Sequence, residues 1–156
     1  MGSSLLDIYQ AVAGWAVQLN GKTVAVRGLS ELKNQVTSAD LPLRMLVPYG
    51  RWWDVGGEDL TFVAFRDMSR LTWTVRDMLL YKPVRQGLGL EDIASDLAEY
   101  TAAYVDQVTA NRQLTNTAWV AEAFVMPGVY EWPLHGNTFY WGVECLLRVD
   151  EIVSTT

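Results

Sequence analysis

Residues 58–85, EDLTFVAFRDMSRLTWTVRDMLLYKPVR, decide how the rest of the chain is read. Two runs rich in β-branched and aromatic residues, Leu60 to Arg66 and Leu71 to Tyr81, flank the polar tetrapeptide Asp67-Met68-Ser69-Arg70. Such runs have strand composition, and a compact polar break with Asp and Ser is turn chemistry. In the second run Leu71, Trp73 and Val75 alternate with Thr72, Thr74 and Arg76. Successive side chains of a strand point to opposite faces, so this alternation predicts a half-buried antiparallel strand. The stretch is expected to form the central hairpin of a sheet, with a helix before it and a helix plus two strands after it.

Toward the N-terminus, Ser4 followed by Asp7 reads as a helix cap with an acidic partner three residues on. Leu5, Ile8, Val12, Trp15, Ala16 and Leu19 recur at three- and four-residue spacing, which predicts a first helix over residues 4–19. Asn20-Gly21 would close it, since both tolerate the left-handed conformation of a helix C-cap. Thr23 to Val26 reads as a short strand, and residues 28–40 as a polar loop with one helical turn after Ser30. Leu43 to Val47, held between Pro42 and Pro48, is expected to be an edge strand or one limited at both ends. The loop YGRWWDVGGED, residues 49–59, pairs two tryptophans between glycines. Arg51, Trp52, Trp53 and Asp54 are therefore the candidate interface residues, because tryptophan is strongly enriched at interface hot spots.

Toward the C-terminus, Leu90, Ile93, Leu97, Tyr100, Tyr104 and Val108 mark a second helix running to about Asn111. Glu91, Asp92, Asp96 and Glu99 crowd its first turns, where carboxylates interact favourably with the positive end of a helix. Ala118 to Met126 predicts a strand ending at a Pro127-Gly128 turn, with Val129 to Trp132 able to prolong it past a bulge. Thr138 to Val149 alternates, with Phe139, Trp141, Val143, Cys145, Leu147 and Val149 on one face. The resulting order α-β-β-β-β-α-β-β predicts an α+β fold, a mainly antiparallel sheet with two helices packed on it. At 156 residues, half of them hydrophobic, one domain over 1–156 is expected to bury a proper core.

The charge excludes some function classes. Residues 1–86 carry +2 and residues 87–156 carry −8, together the formal −6 of the chain. An acidic chain is poorly suited to grip nucleic acid, which needs clustered Lys and Arg on phosphates. An uneven charge layout suits head-to-tail association of copies, since such an interface joins two different faces. The single cysteine, Cys145, excludes an internal disulfide and is compatible with a reducing cytoplasm. No apolar run approaches the roughly 18 residues of a membrane span, and no signal peptide is expected.

Motifs for chemistry are expected to be absent: no catalytic, cofactor or metal site. Gly87-Leu88-Gly89 imitates a dinucleotide fingerprint, but Asp92 replaces the third glycine, and Glu91 and Asp92 put negative charge where a pyrophosphate would bind. His135, the only histidine, and Cys145 read as a loop residue and a buried structural thiol. Metal ligation would need more His or Cys than the chain has. Glu122 and Glu144 lie on the two last strands and could face each other as a glycosidase pair does, though the solvated face of a hairpin is the plainer reading.

In element order nearly the whole chain resembles the tail-terminator (tail-completion) proteins of long-tailed bacteriophages. The closest local likeness is TVAVRGLSELKNQVTSADLPLRMLVP, residues 23–48, with Val26-Arg27-Gly28-Leu29 and Asp40-Leu41-Pro42. The resemblance implies a structural virion protein, assembled in the host cytoplasm, that forms a ring of six copies in the neck. That ring would cap the tail tube protein and meet the head-tail connector or stopper protein, while DNA passes through without specific binding. Bore-lining candidates are then Glu91, Asp92, Asp96 and Glu99 of the second helix, or Glu122 and Glu144 of the last hairpin. Two rival readings remain. One is a tail tube subunit or head-tail connector component. The other is a small-ligand-binding or enzymatic α+β domain with its pocket between the second helix and the sheet.

Overall fold

In the computed structural model, residues 4–33, 35–47, 61–65, 68–85, 89–133 and 135–154 are described, residues 61–65 by their backbone alone. Helix α1 (Leu5–Ala13) buries Ile8, Tyr9 and Val12 and ends at Gly14, well before Leu19. The apolar positions beyond it are ambiguous by spacing. Trp15 and Leu19 fit a helical stripe, but Trp15, Val17 and Leu19 also alternate with the exposed Ala16 and Gln18, and the chain takes the extended alternative. Asn20 and Gly21 are accordingly not a helix cap. They have φ of 52° and 76° and link β1 (Gln18–Leu19) to β2 (Lys22–Thr23) as a hairpin turn. Positive φ at both central residues is what a tight hairpin with the strand twist requires. Ser4 precedes α1, but its side chain does not cap it; Ser4 N–H and hydroxyl both donate to the Glu151 carboxylate.

Strand β3 (Ala25–Arg27) runs parallel to β4 (Leu43–Val47). Between them lie two 3-10 turns, Leu29–Glu31 and Ser38–Asp40. The second is pinned by Asp40, whose carboxylate takes the Lys33 ammonium at 2.7 Å and the Thr37 N–H at 2.8 Å, holding its pKa down near 2. Strand β4 is not at an edge: it lies between β3 and β6, and all five of its residues are buried. β5 (Thr61–Phe65) pairs with β6 (Met68–Pro83) with Phe65 opposite Met68, so β6 already includes Met68, Ser69 and Arg70 of the expected turn.

After a 3-10 turn at Leu90–Asp92, helix α2 (Ala94–Ala110) presents Leu97, Tyr100 and Tyr104 to the sheet. β7 (Ala118–Glu131) and β8 (Phe139–Ser154) form a long antiparallel hairpin. Pro127-Gly128 is not a turn; Pro127 lies opposite Val143 and Gly128 opposite Gly142, and the register shift falls earlier, between Val120 and Glu122. A proline fits a paired strand when its missing N–H points away from the ladder, as an outermost strand permits. The main sheet has the order β3-β4-β6-β8-β7, with β5 also on β6. The fold is α+β and mainly antiparallel, as the element order predicts.

Each face of the sheet holds a core. Ile8, Val12, Val75, Leu79, Ile93, Leu97, Tyr100, Tyr104, Cys145 and Leu147 pack between the helices and the sheet. Burial of each large apolar side chain contributes roughly 1.5–3 kcal/mol, which is what fixes α2 on the sheet. On the opposite face Leu43, Met45, Val47, Met78, Leu80, Trp132 and Tyr140 form a smaller cluster, covered by Leu32, Val36 and Leu41. Trp132 Nε1–H donates to the Lys33 carbonyl at 2.6 Å, tying the end of the long hairpin to that covering segment.

The residues sequence reasoning missed lie inside the first core. Arg44 and Asp77 are both fully buried, and the Tyr104 hydroxyl donates to Asp77 Oδ2 at 2.8 Å. Arg44 Nη1 and Nη2 donate to the carbonyls of Trp15 and Val12, each at 2.7 Å. Those oxygens lie at and just past the end of α1, where helical carbonyls lack intrahelical partners and a cation is favoured. One charged residue thus joins β4, β6, α1 and, through Tyr104, α2.

Candidate functional site

Strand β7 is the outermost strand at one end of the main sheet, as β3 is at the other. Its first residues are covered, since Val120 N–H donates to the Arg112 carbonyl and Leu114 N–H to the Ala118 carbonyl. Beyond the register shift it is open: seven of the nine residues from Ala121 to Val129 are exposed. Phe124 and Met126 lie on the face away from the helices, 54% and 52% exposed. Val129 and Phe139 lie on the helix-side face and are also exposed. Large apolar groups kept in water along an open strand edge are a feature that isolated soluble domains usually blunt. Pro127 and the irregularity at Ala121 limit ladder formation along this edge without covering its side chains.

The six acidic candidates divide between the two faces of the sheet. Glu91, Asp92, Asp96 and Glu99 belong to the α2 layer. Asp92 accepts the Gly89 N–H at 2.9 Å, Asp96 accepts the Tyr81 hydroxyl, and Glu99 accepts the Asn20 N–H at 3.1 Å. With Asp106 they give residues 89–110 five carboxylates and no Lys or Arg. The Asp92 contact also uses the N–H that a phosphate at this turn would need, so the local geometry opposes a nucleotide site.

Glu122 and Glu144 lie on the opposite face and do not face each other. Glu122 is across from Arg148 and Glu144 across from Met126. Each approaches an arginine instead, Glu122 to Arg148 at 3.9 Å and Glu144 to Arg76 at 3.8 Å. Arg70, Arg76 and Arg148 balance Glu122, Glu144 and Asp150 along this face by strand alternation. Of the two sets, only the one in the α2 layer is uniformly acidic. Arg51, Trp52, Trp53 and Asp54 fall outside the described residues.

Cys145 is fully buried on β8, and burial holds its thiol well above the usual range, so it stays protonated and unreactive. His135 is exposed in the hairpin loop, with φ of 63°. Among the described residues no group of three His, Cys, Asp or Glu is placed to hold a metal. The space between α2 and the sheet, where a ligand pocket was conceivable, is occupied by Leu97, Tyr100 and Tyr104. Clefts occur instead beside the first strands of the chain. One of about 240 Å³ lies between α1 and the β3 side, lined by Leu6, Tyr9, Ala13, Val26 and Leu29, with Gln10, Ser30 and Glu31 also in its wall. Another of about 630 Å³ lies beside the β1–β2 turn, with Leu41, Pro42 and Tyr81 in its wall. Among the described residues no helix is long and apolar enough to cross a membrane. No protein-family model matches the chain, and no curated protein matches it.

Proposed function

We propose that this chain is a structural subunit of a ring that caps the tail tube of a long-tailed bacteriophage and joins it to the neck. The observation that carries the reading is the open β7 edge, whose apolar side chains have no partner layer among the described residues. A contact made through that edge needs another protein surface, and in a ring the surface is a different face of the next copy. The −8 carried by residues 87–156 favours such a head-to-tail contact over one between two like halves. Ladder-limiting features at Ala121 and Pro127 favour a closed assembly over the open-ended polymer of a tube subunit.

The α2 layer is the bore lining that suits this role. Its carboxylates repel the phosphates of passing DNA and offer no cation for counterion-releasing contacts. Six copies, a tail tube protein on one side and a connector or stopper protein on the other complete the reading, which places the protein in the virion after assembly in the host cytoplasm. Imaging tail tubes incubated with the purified chain tests it. One added disc at a single end of each tube is expected; decoration along the tube wall, or no binding, would overturn it.

A further inference from the structure

Two features with exposed apolar side chains lie at opposite edges of the main sheet. At one edge β7 exposes Phe124, and at the other Leu6, 61% exposed, overhangs the cleft of about 240 Å³ between α1 and β3. We propose that these are the two halves of one contact: the β7 edge of one copy seats against the α1–β3 edge of a second copy, with Phe124 inserted between Tyr9 and Val26. The proposal rests on the ring reading and names the surfaces that close the ring.

Three observations select a second copy as the occupant. The cleft lies below the roughly 300 Å³ at which pockets for drug-sized ligands begin, a size that suits a single side chain. Charge opposes the alternative of β7 pairing with itself about a two-fold axis. That arrangement would bring together two halves of −8, whereas residues 4–47, with Arg44 buried against Asp77, leave three Lys or Arg against three Asp or Glu, a balance that does not repel the acidic edge. Backbone chemistry opposes it too, since Pro127 removes one donor from the middle of the edge, and a contact made by inserted side chains does not need that donor. Apolar surfaces at opposite edges of one sheet make a heterologous contact, the kind that closes when the rotation between copies allows.

The test replaces Phe124 with a benzophenone-bearing phenylalanine and irradiates the assembled protein. Crosslinks between copies that map to residues 5–31 are expected. Phe124→Asp and Leu6→Asp should each weaken assembly roughly thirtyfold or more, the loss expected of a hot-spot side chain. Combined, they should weaken it little further, because both remove the same contact. Both positions are exposed, so circular dichroism should report a folded chain in each case. If rings form and the crosslinks map elsewhere, or both variants assemble normally, this contact is wrong and the ring reading stands. If the unsubstituted chain forms no ring, alone or on tail tubes, both are wrong.

Discussion

Arg44 on β4 and Asp77 on β6 form an ion pair from which water is fully excluded, Nη2 to Oδ2 at 2.8 Å and Nε at 3.0 Å from both carboxylate oxygens. Arg44 faces Leu79 in the ladder, so the pair is diagonal, a separation that a long side chain spans. Removing either partner leaves an uncompensated buried charge, which typically destabilises by about 3–5 kcal/mol. Arg44→Met should fall in that range, because it also strips the Val12 and Trp15 carbonyls of their donor. Pairing it with Asp77→Leu should recover part of the loss. Urea unfolding of the two single variants and the double variant checks this; a single variant within 1 kcal/mol of the parent on the scale of such effects would contradict it.

Two neighbouring tyrosines give a sharper contrast. Tyr104 and Tyr100 are both fully buried, but only Tyr104 donates a hydrogen bond, to Asp77; the Tyr100 hydroxyl has no partner among the described residues. A hydrogen bond to a charged group contributes about 1.5–3 kcal/mol, so Tyr104→Phe should destabilise by that amount. Tyr100→Phe removes only a hydroxyl without a bond and should be neutral or stabilising. Thermal melts of the two variants should move in opposite directions or differ clearly in size.

Gly142 is required by proximity. It is buried opposite Leu80, and a Cβ at this position would lie 1.9 Å from the Leu79 carbonyl oxygen, which is backbone and cannot swing aside. Gly142→Ala should force β8 away from β6 and destabilise by about 1–3 kcal/mol or more. Hydrogen exchange should show the loss of protection centred on residues 78–82 and 140–144. Exchange unchanged there would contradict the contact.

The tyrosines also set an alkaline limit. Burial pushes Tyr9, Tyr81 and Tyr130 up to about 12, raises Tyr140, and holds Tyr100 and Tyr104 well above 10. In the unfolded chain each ionises near its ordinary value of 10. Above that pH the unfolded state has lost protons that the folded state keeps, so stability falls as pH rises. The stabilising contribution is complete below pH 10 and is lost as pH rises through 12. Tyrosinate absorbance should therefore rise together with loss of near-ultraviolet dichroism. Ionisation of most tyrosines near pH 10 in a chain that stays folded would contradict this.

How far this was legible from residues alone differs by element. The alternation of Val143, Cys145, Leu147 and Val149 and the three-and-four spacing of Ile93, Leu97, Tyr100 and Tyr104 each admit one periodicity, and both elements form, though β8 continues past Val149 to Ser154 and Leu90, Glu91 and Asp92 make a 3-10 turn before α2 begins at Ala94. Trp15, Val17 and Leu19 satisfy a strand period while Trp15 and Leu19 also satisfy a helical one, so spacing could not place the end of α1. Asn20-Gly21 suits a helix end and a hairpin equally, because both need positive φ. Pro127-Gly128 looks like a turn unless the strand is known to be outermost, which is a property of the whole sheet. Arg44 and Asp77 did leave a signal, charges set inside two apolar strand runs, Arg44 in LRMLV and Arg76-Asp77 in VRDMLL. Strand partnering, which turns those charges into a pair, is set by long-range register. The division of the six acidic candidates between two faces follows from the same register.

The central claim is a closed ring, and the measurement that bears on it most directly is the mass of the assembly formed by the purified chain, alone and bound to tail tubes. Native mass spectrometry with negative-stain imaging should find closed rings of six copies, at the latest on the tube end. Raising the salt should weaken them, because exposed charge pairs are screened beyond roughly 8 Å at physiological ionic strength. A chain that remains monomeric under both conditions, polymerises without closing, or binds the tube as three copies would contradict the account.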